Sequence, residues 1–380
     1  MKKYCSIFIL LIFSFAFSFA QKKKFKPVDA NATPETKALY YNLHKLAEHY
    51  ILFGHQHATQ YGHGWWRNDD SSRSDVRSVT GSHPAVIGVD FSGLSGRPDN
   101  MIANEKADLQ KTISDTYNRG GVTTVAWHFN NPVSNTSFYW NDSTVAAAVK
   151  NIIPGGSHHE KYKAILKTIA SVATSIKGKD GKLVPMIFRP YHEFDGDWFW
   201  WGKSHCTVEE FKSLWRFTVT YLRDSLGVHN FIYAFSPDNT FSTEAEYLER
   251  YPGDEFVDMV GVDNYGDFGR YGKYNVDAGV MKLKIVSDYA KKAGKLAAFT
   301  ETGLESIPNP TWWTEILLKA LQAKKLELTY VLVWRNDATS PTHFFAPFPG
   351  QASEKDFIKF YNDRYTLFEN DLKDIYRIKK

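Results

Sequence analysis

Eight short, almost wholly apolar runs recur along the chain, separated by longer segments in which apolar residues return every three or four positions. The runs are ILFGHQ (51–56), AVIGVDFS (85–92), VTTVAWHF (122–129), LVPMIFRP (183–190), FIYAFSPD (231–238), FVDMVGVDNY (256–265), LAAFTETG (296–303) and LTYVLVWRN (328–336). Helical spacing is clearest over 102–119, 161–177, 208–226, 278–292 and 311–324, and a last helix is expected over 357–375. Strands with no polar face must be covered on both sides, and alternation with helices makes them parallel. Eight such units predict an α/β chain closed as a single (β/α)8 TIM barrel. An open doubly wound sheet would use the same local pattern, but no Gly-rich phosphate loop follows the first run and the count closes at eight. No repeat, low-complexity linker or shift in composition marks a second domain, so residues 21–380 are read as one catalytic barrel.

Each run ends in polar or aromatic residues: His55 and Gln56, Asp90, Trp127 and His128, His192 and Glu193, Pro237 and Asp238, Asp263 to Tyr265, Glu301, Trp334 and Arg335. In a barrel these ends share the face on which active sites are built. The densest cluster is RPYHEFDGDWFWWG (189–202). Its carboxylates are too costly for a core without partners, and its Trp side chains are too apolar for a bare surface. A groove resolves the conflict if its ligand is both flat-faced and polar, as a pyranose is. The long connections 57–84 and 129–160 would border that groove.

Composition narrows the ligand further. The chain is 16% aromatic, with 11 Trp and 21 Tyr that recur beside polar residues. It opens MKKYCSIFILLIFSFAFSFA, two lysines and then an apolar stretch ending in small residues, which is the layout of a cleavable secretory signal over 1–20. The stretch is short for a bilayer span of about 20 residues, so the mature chain is expected in the periplasm or the medium, away from the membrane. Loss of Lys2 and Lys3 takes the formal charge from +4 to +2, too little excess for a nucleic-acid partner. Only Cys206 then remains, which excludes an internal disulfide. His158 and His159 have no acid at ligand spacing and no HExxH occurs, so neither a metal nor another cofactor is expected.

Glu193 ends the fourth run and Glu301 the seventh, on roughly opposite walls of an eight-strand mouth. Two carboxyls about 5–5.5 Å apart serve a retaining glycosidase, and a wider gap serves an inverting one. Glu193 stands among Trp198, Phe199 and Trp200, a setting that raises a carboxyl pKa and suits a proton donor. Glu301, flanked by Thr300 and Thr302, has hydroxyl donors close by and suits an ionised nucleophile. Asp195 and Asp197 are expected to shape the turn at Gly196, and 199–201 to pack the wall.

Taken in order, FGHQ, RPYHEFDGDWFWWG, FSPD, VGVDNY, FTETG and VWRN resemble glycoside hydrolase family 26, over nearly the whole mature chain. The resemblance implies hydrolysis of β-1,4-mannosidic bonds with retention, Glu193 as acid/base and Glu301 as nucleophile. It implies a β-mannan or manno-oligosaccharide partner. His192 precedes the acid where many related barrels have Asn, and is expected to meet the axial 2-hydroxyl of mannose. By position, Trp127 and His128 become sugar contacts, Trp198 lines the site beside the acid, and Tyr265 orients the nucleophile. Trp334 becomes the floor under the cleaved unit, with Arg335 a polar contact further along. Trp65 and Trp66 receive no role, and Trp312 and Trp313 are expected to be structural. Alternatives are release of mannobiose from chain ends, the same fold acting on β-1,3-xylan or mixed-linkage glucan, and a non-catalytic carbohydrate-binding barrel. No oligomerisation signal is evident, and a monomer is expected.

Overall fold

The computed structural model describes residues 25–67, 72–140 and 148–378; the expected signal segment 1–20 lies outside them. Eight strands, β1 (Ile51–Gln56), β2 (Val86–Asp90), β3 (Val122–Trp127), β4 (Met186–Pro190), β5 (Phe231–Phe235), β6 (Met259–Asp263), β7 (Leu296–Thr302) and β8 (Tyr330–Val333), each fall within one of the eight apolar runs. Every neighbouring pair is parallel, and β1 closes the ring on β8 through Leu52↔Tyr330, Phe53↔Val331, Gly54↔Leu332 and His55↔Val333. The fold is a closed (β/α)8 barrel.

Alternation along each strand sorts two cores. Leu52, Val86, Val122, Ile187, Ile232, Ala234, Met259, Leu296, Ala298, Tyr330 and Leu332 fill the lower barrel. Phe53, Val89, Val125, Phe188, Phe235, Val262, Phe299 and Val333 point outward and bury against the helical shell. That shell includes helices Asp99–Arg119, His159–Ser175, Val208–Thr220 and Val276–Ala293, which match the expected helical segments with ends that shift by a few residues. A helix over Pro34–Ala47, with Thr33 as its side-chain N-cap, was not signalled by the apolar runs. Its Leu39, Tyr40 and Leu43 join the inner core, so it closes the end of the barrel opposite the strand C-termini.

The expected helix over 311–324 forms as a π-helix over Trp313–Leu318 that continues into an α-helical turn, Lys319–Leu321. One helical expectation needs correction. The closing helix runs Glu354–Tyr361, not to 375. Beyond it, Thr366–Leu367 pairs parallel with β1, and Phe368 buries against Phe53, Phe357 and Tyr361. Phe357, Phe360, Tyr365, Phe368 and Leu372 keep helical spacing, but the same rings gain more burial when the chain turns back under Phe53.

Candidate active site

The last inward layer of the barrel becomes polar because the strands run out of core to fill. Arg189 on β4 is 2% exposed and lies between two carboxylates. Its Nη1 donates to Asp263 Oδ2 at 2.6 Å and to Ser236 Oγ at 3.1 Å, and its Nη2 donates to Glu301 Oε2. Burial opposes the guanidinium charge, but Asp263 and Glu301 outweigh burial and hold its pKa above the usual value. Glu301 Oε1 receives the phenol of Tyr265 at 2.8 Å. Burial, then Glu301 and Glu193, keep that phenol protonated far above its ordinary range, so it remains a donor. Glu301 thus has a cation on one oxygen and an O–H on the other.

Glu301 reaches this layer through a break in alternation. Val262 pairs with Phe299 and Asp263 with Glu301, so β7 carries one extra residue opposite β6; the same offset appears against β8, where Val331 pairs with Phe299 and Val333 with Thr302. Phe299 points outward. Thr300 points inward and donates to Asp263 Oδ1 at 2.6 Å. Strict alternation would send Glu301 outward again, and the bulge returns it to the mouth. Gly261 makes room, since a Cβ there would lie 2.4 Å from Thr300 Cγ2.

Glu193 is aimed by a different device. Tyr191 and Glu193 both adopt left-handed φ, +51° and +52°, a conformation that costs non-glycine residues on the order of 1–3 kcal/mol each. The surroundings hold it: Glu193 N donates to Ser236 O at 3.0 Å, Trp201 Nε1 donates to His192 O at 2.8 Å, and Tyr191 Oη bonds Tyr162 and Thr218. The partly exposed Glu193 carboxyl accepts Trp198 Nε1 at 2.7 Å. Burial first, then the Glu301, Asp263 and Asp238 carboxylates, push its pKa well above the ordinary value, against the smaller pull of Trp198. One carboxyl thereby holds its proton more tightly than a free acid, while its neighbour receives a guanidinium and a phenol.

His128 and His192 form a second polar line. His128 Nδ1 donates to Asp90 Oδ2 at 2.5 Å and its backbone N–H to Asp90 Oδ1 at 3.1 Å. Burial raises the Asp90 carboxyl, but contact with His128 brings it below its usual range. His192 is neutral, its pKa lowered by burial, then by Arg189 and His128. His192 Nε2 lies 3.2 Å from His128 Nε2, so the two rings share one hydrogen bond.

The remaining sequence candidates divide. Trp334 is half-buried at the mouth, 5.7 Å from His128 between ring centroids. Arg335 pairs with Asp337 and lies 5.8 Å from the Tyr61 ring. Trp198 is 39% exposed beside Glu193. Trp127 does not reach the mouth, contrary to its expected role: it is fully buried, stacked on Phe129 at 4.2 Å and flanked by Phe188 and Tyr191. Alternation is the reason, since Val125 points into the helical shell and the residue two further along follows it. Phe199, Trp200 and Trp201 are buried behind the site, and Trp312 and Trp313 are buried as well, Trp313 against Phe53, Phe357 and Phe360. Asp197 caps Ser204 N–H and Oγ–H, while Asp195 accepts Asp238 N, Thr240 N and Thr240 Oγ, tying the acid's loop to the one after β5.

Arg189, Asp90 and Asp263 are the members to which the sequence reading assigned no role. All three occupy inward strand-end positions, so counting by twos from the inner core would have found them.

Known proteins carry the same architecture. The profile of Glycosyl hydrolase family 26 matches residues 28–367. A mannan endo-1,4-beta-mannosidase of Bifidobacterium adolescentis is 35% identical over 89% of this chain, which spans only 35% of that longer protein. Another of the same name from Bacillus subtilis is 24% identical, covering 91% of this chain and 89% of its own length. Among solved structures, GH26C from Muricauda sp. superposes with TM-score 0.87 at 40% identity, covering 93% of this chain and 96% of its own. A GH26 beta-mannanase from Bacteroides ovatus gives 0.84 at 40% identity, with 91% and 98% covered. A match across most of the sequence, on a closed eight-strand barrel of the same architecture, shows that the chain belongs to glycosyl hydrolase family 26.

Proposed function

We propose that the chain is a mannan endo-1,4-β-mannosidase that cleaves mannan, galactomannan or glucomannan by double displacement with retention. Glu301 attacks the anomeric carbon as Glu193 gives its proton to the departing glycosidic oxygen, leaving a mannosyl ester on Glu301. The Glu193 carboxylate then takes a proton from water as that water attacks the same carbon and frees Glu301. The observation that carries this reading is the opposite treatment of the two acids: burial among carboxylates raises the pKa of Glu193, while Arg189 and Tyr265 both donate to Glu301. Two groups with separated protonation are what acid and nucleophile need. The names of the relatives support mannan as substrate and internal cutting. His192, Trp198, Trp334, Arg335 and His128 are assigned to sugar contact, with Asp90 and Asp263 positioning the groups that touch it. The same reading has the chain exported to the periplasm or medium after loss of 1–20.

Proton NMR of the first product from mannohexaose tests the reaction, with β-configured product expected. Glu301→Ala should lower kcat by at least about 10⁴-fold. An α-configured first product, or turnover retained in Glu301→Ala, would sink the mechanism. Mannobiose as the sole early product would replace internal cutting by release from chain ends.

A further inference from the structure

The long connection after β1 folds into a hairpin, Tyr61–Gly62 against Trp65–Trp66, that the reaction as derived leaves unused. Its two tryptophans are treated oppositely. Trp65 is 7% exposed, and Gly62 lets its ring tuck in, since a Cβ there would lie 2.3 Å from Trp65 Nε1. Trp66 is 61% exposed. Asp75, 3% exposed, anchors the hairpin by accepting Trp65 Nε1 and His63 N at 2.7 Å each. The same carboxylate accepts Asn336 Nδ2 at 2.7 Å. Asn336 directly follows Trp334 and Arg335, so the hairpin is fixed to the segment that carries the sugar contacts. Arg67 ties its other end to Thr112 and Asp108.

Ring contacts then link Arg335 to the hairpin. The Arg335 guanidinium lies 5.8 Å from the Tyr61 centroid, His57 stacks on Tyr61 at 5.1 Å, and the Trp66 centroid is 5.2 Å beyond Tyr61. Direction follows from the chemistry. Glu193 must stand beside the leaving oxygen, so the departing half of the substrate covers the β4 and β5 side of the mouth. The retained, non-reducing half runs past Trp334 toward β8, β1 and the hairpin. A single exposed Trp on a mobile loop would ask for no explanation; one anchored through a buried carboxylate to the sugar-contact segment does.

We propose that Trp66, with Tyr61, is a distal sugar platform on the non-reducing side beyond Arg335, stacking the apolar face of a β-1,4-linked backbone hexose. The platform rests on the mannanase reading and gives that site a preference for long chains. A free indole face offers a flat apolar surface to the C–H face of a pyranose at little ordering cost, because the hairpin is already fixed.

The test compares kcat/KM on mannotriose through mannohexaose for the wild type, Trp66→Ala and Trp66→Phe. The hexaose-to-triose ratio should fall about tenfold in Trp66→Ala, and most of it should return in Trp66→Phe, which restores a ring. Cleavage positions on end-labelled hexaose should shift in Trp66→Ala toward binding frames that leave the hairpin empty. An unchanged ratio and cleavage pattern, or an equal loss on every length, would overturn the platform while leaving the mannanase reading intact. A wild type that cuts no member of the ladder would instead refute the reading on which the platform stands.

Discussion

Glu193→Gln isolates the protonation argument because it keeps the side chain's shape and an oxygen for Trp198 Nε1, which sits 2.7 Å from the acid in the wild type. Burial, then Glu301, Asp263 and Asp238, raise the folded pKa of Glu193. In the unfolded chain Glu193 ionises near the ordinary value of about 4.3. The sign follows: above that pH the unfolded state gains free energy by losing a proton that the folded state keeps. The contribution of Glu193 to wild-type stability therefore falls with rising pH in this window, with a limiting slope of about 1.4 kcal/mol per unit for one proton. Gln does not titrate. The variant should differ from wild type by a constant below about pH 4, then gain on it with that slope until the folded pKa is passed. Denaturant midpoints with fitted slopes, taken at pH 4, 5, 6 and 7, measure the difference. The difference should grow with rising pH across this range in favour of the variant. Activity on mannan should drop by about 10²–10⁴-fold, since the leaving oxygen then departs unprotonated. Stability curves that run parallel between pH 5 and 7 would mean that the folded acid ionises like a free one, and the assignment of Glu193 as proton donor would lose its physical basis.

Two further variants separate contact from packing. His192→Ala should narrow the preference for mannan over cellulose by roughly tenfold, the scale on which a site discriminates a single repositioned hydroxyl; an unchanged ratio of kcat/KM on the two polymers would detach His192 from the axial 2-hydroxyl. Trp127→Ala should cost about 3–5 kcal/mol of stability by opening a cavity against Phe129, Phe188 and Tyr191, with KM for mannan within about twofold of wild type. A large rise in KM without loss of stability would return Trp127 to the sugar site.

The eight strands were legible because a strand buried on both faces has one simple signature, a short run without polar residues. All eight runs contain a barrel strand. Helix limits were less legible. The spacing of Phe357, Phe360, Tyr365 and Phe368 fits a helix, and the chain leaves it after Tyr361 because Phe368 finds Phe53. Among site candidates, Glu193, Glu301, His192, His128, Tyr265, Trp198, Trp334 and Arg335 lie together at the strand C-termini. Trp127 sits beside them in sequence and faces away from them in space. Arg189 and Asp263 were visible as strand-end residues, but nothing local says that they bond each other, since they are 74 positions apart.

The order of apolar runs and the polar residues that end them determine the barrel and the face that carries chemistry, because burial of strands and location of strand ends follow from residue type alone. Which of two adjacent residues enters the mouth is decided by backbone geometry. Glu301 enters because β7 holds an extra residue opposite its neighbours, and Glu193 because two left-handed residues turn the chain after Pro190. The surroundings of each acid are likewise collective. The pKa of Glu193 is raised because several carboxylates share one poorly solvated space, and Glu301 is clamped because Arg189 and Tyr265 reach it from two other strands' ends. Those are distances between residues remote in sequence, and they exist only once the ring of strands has closed.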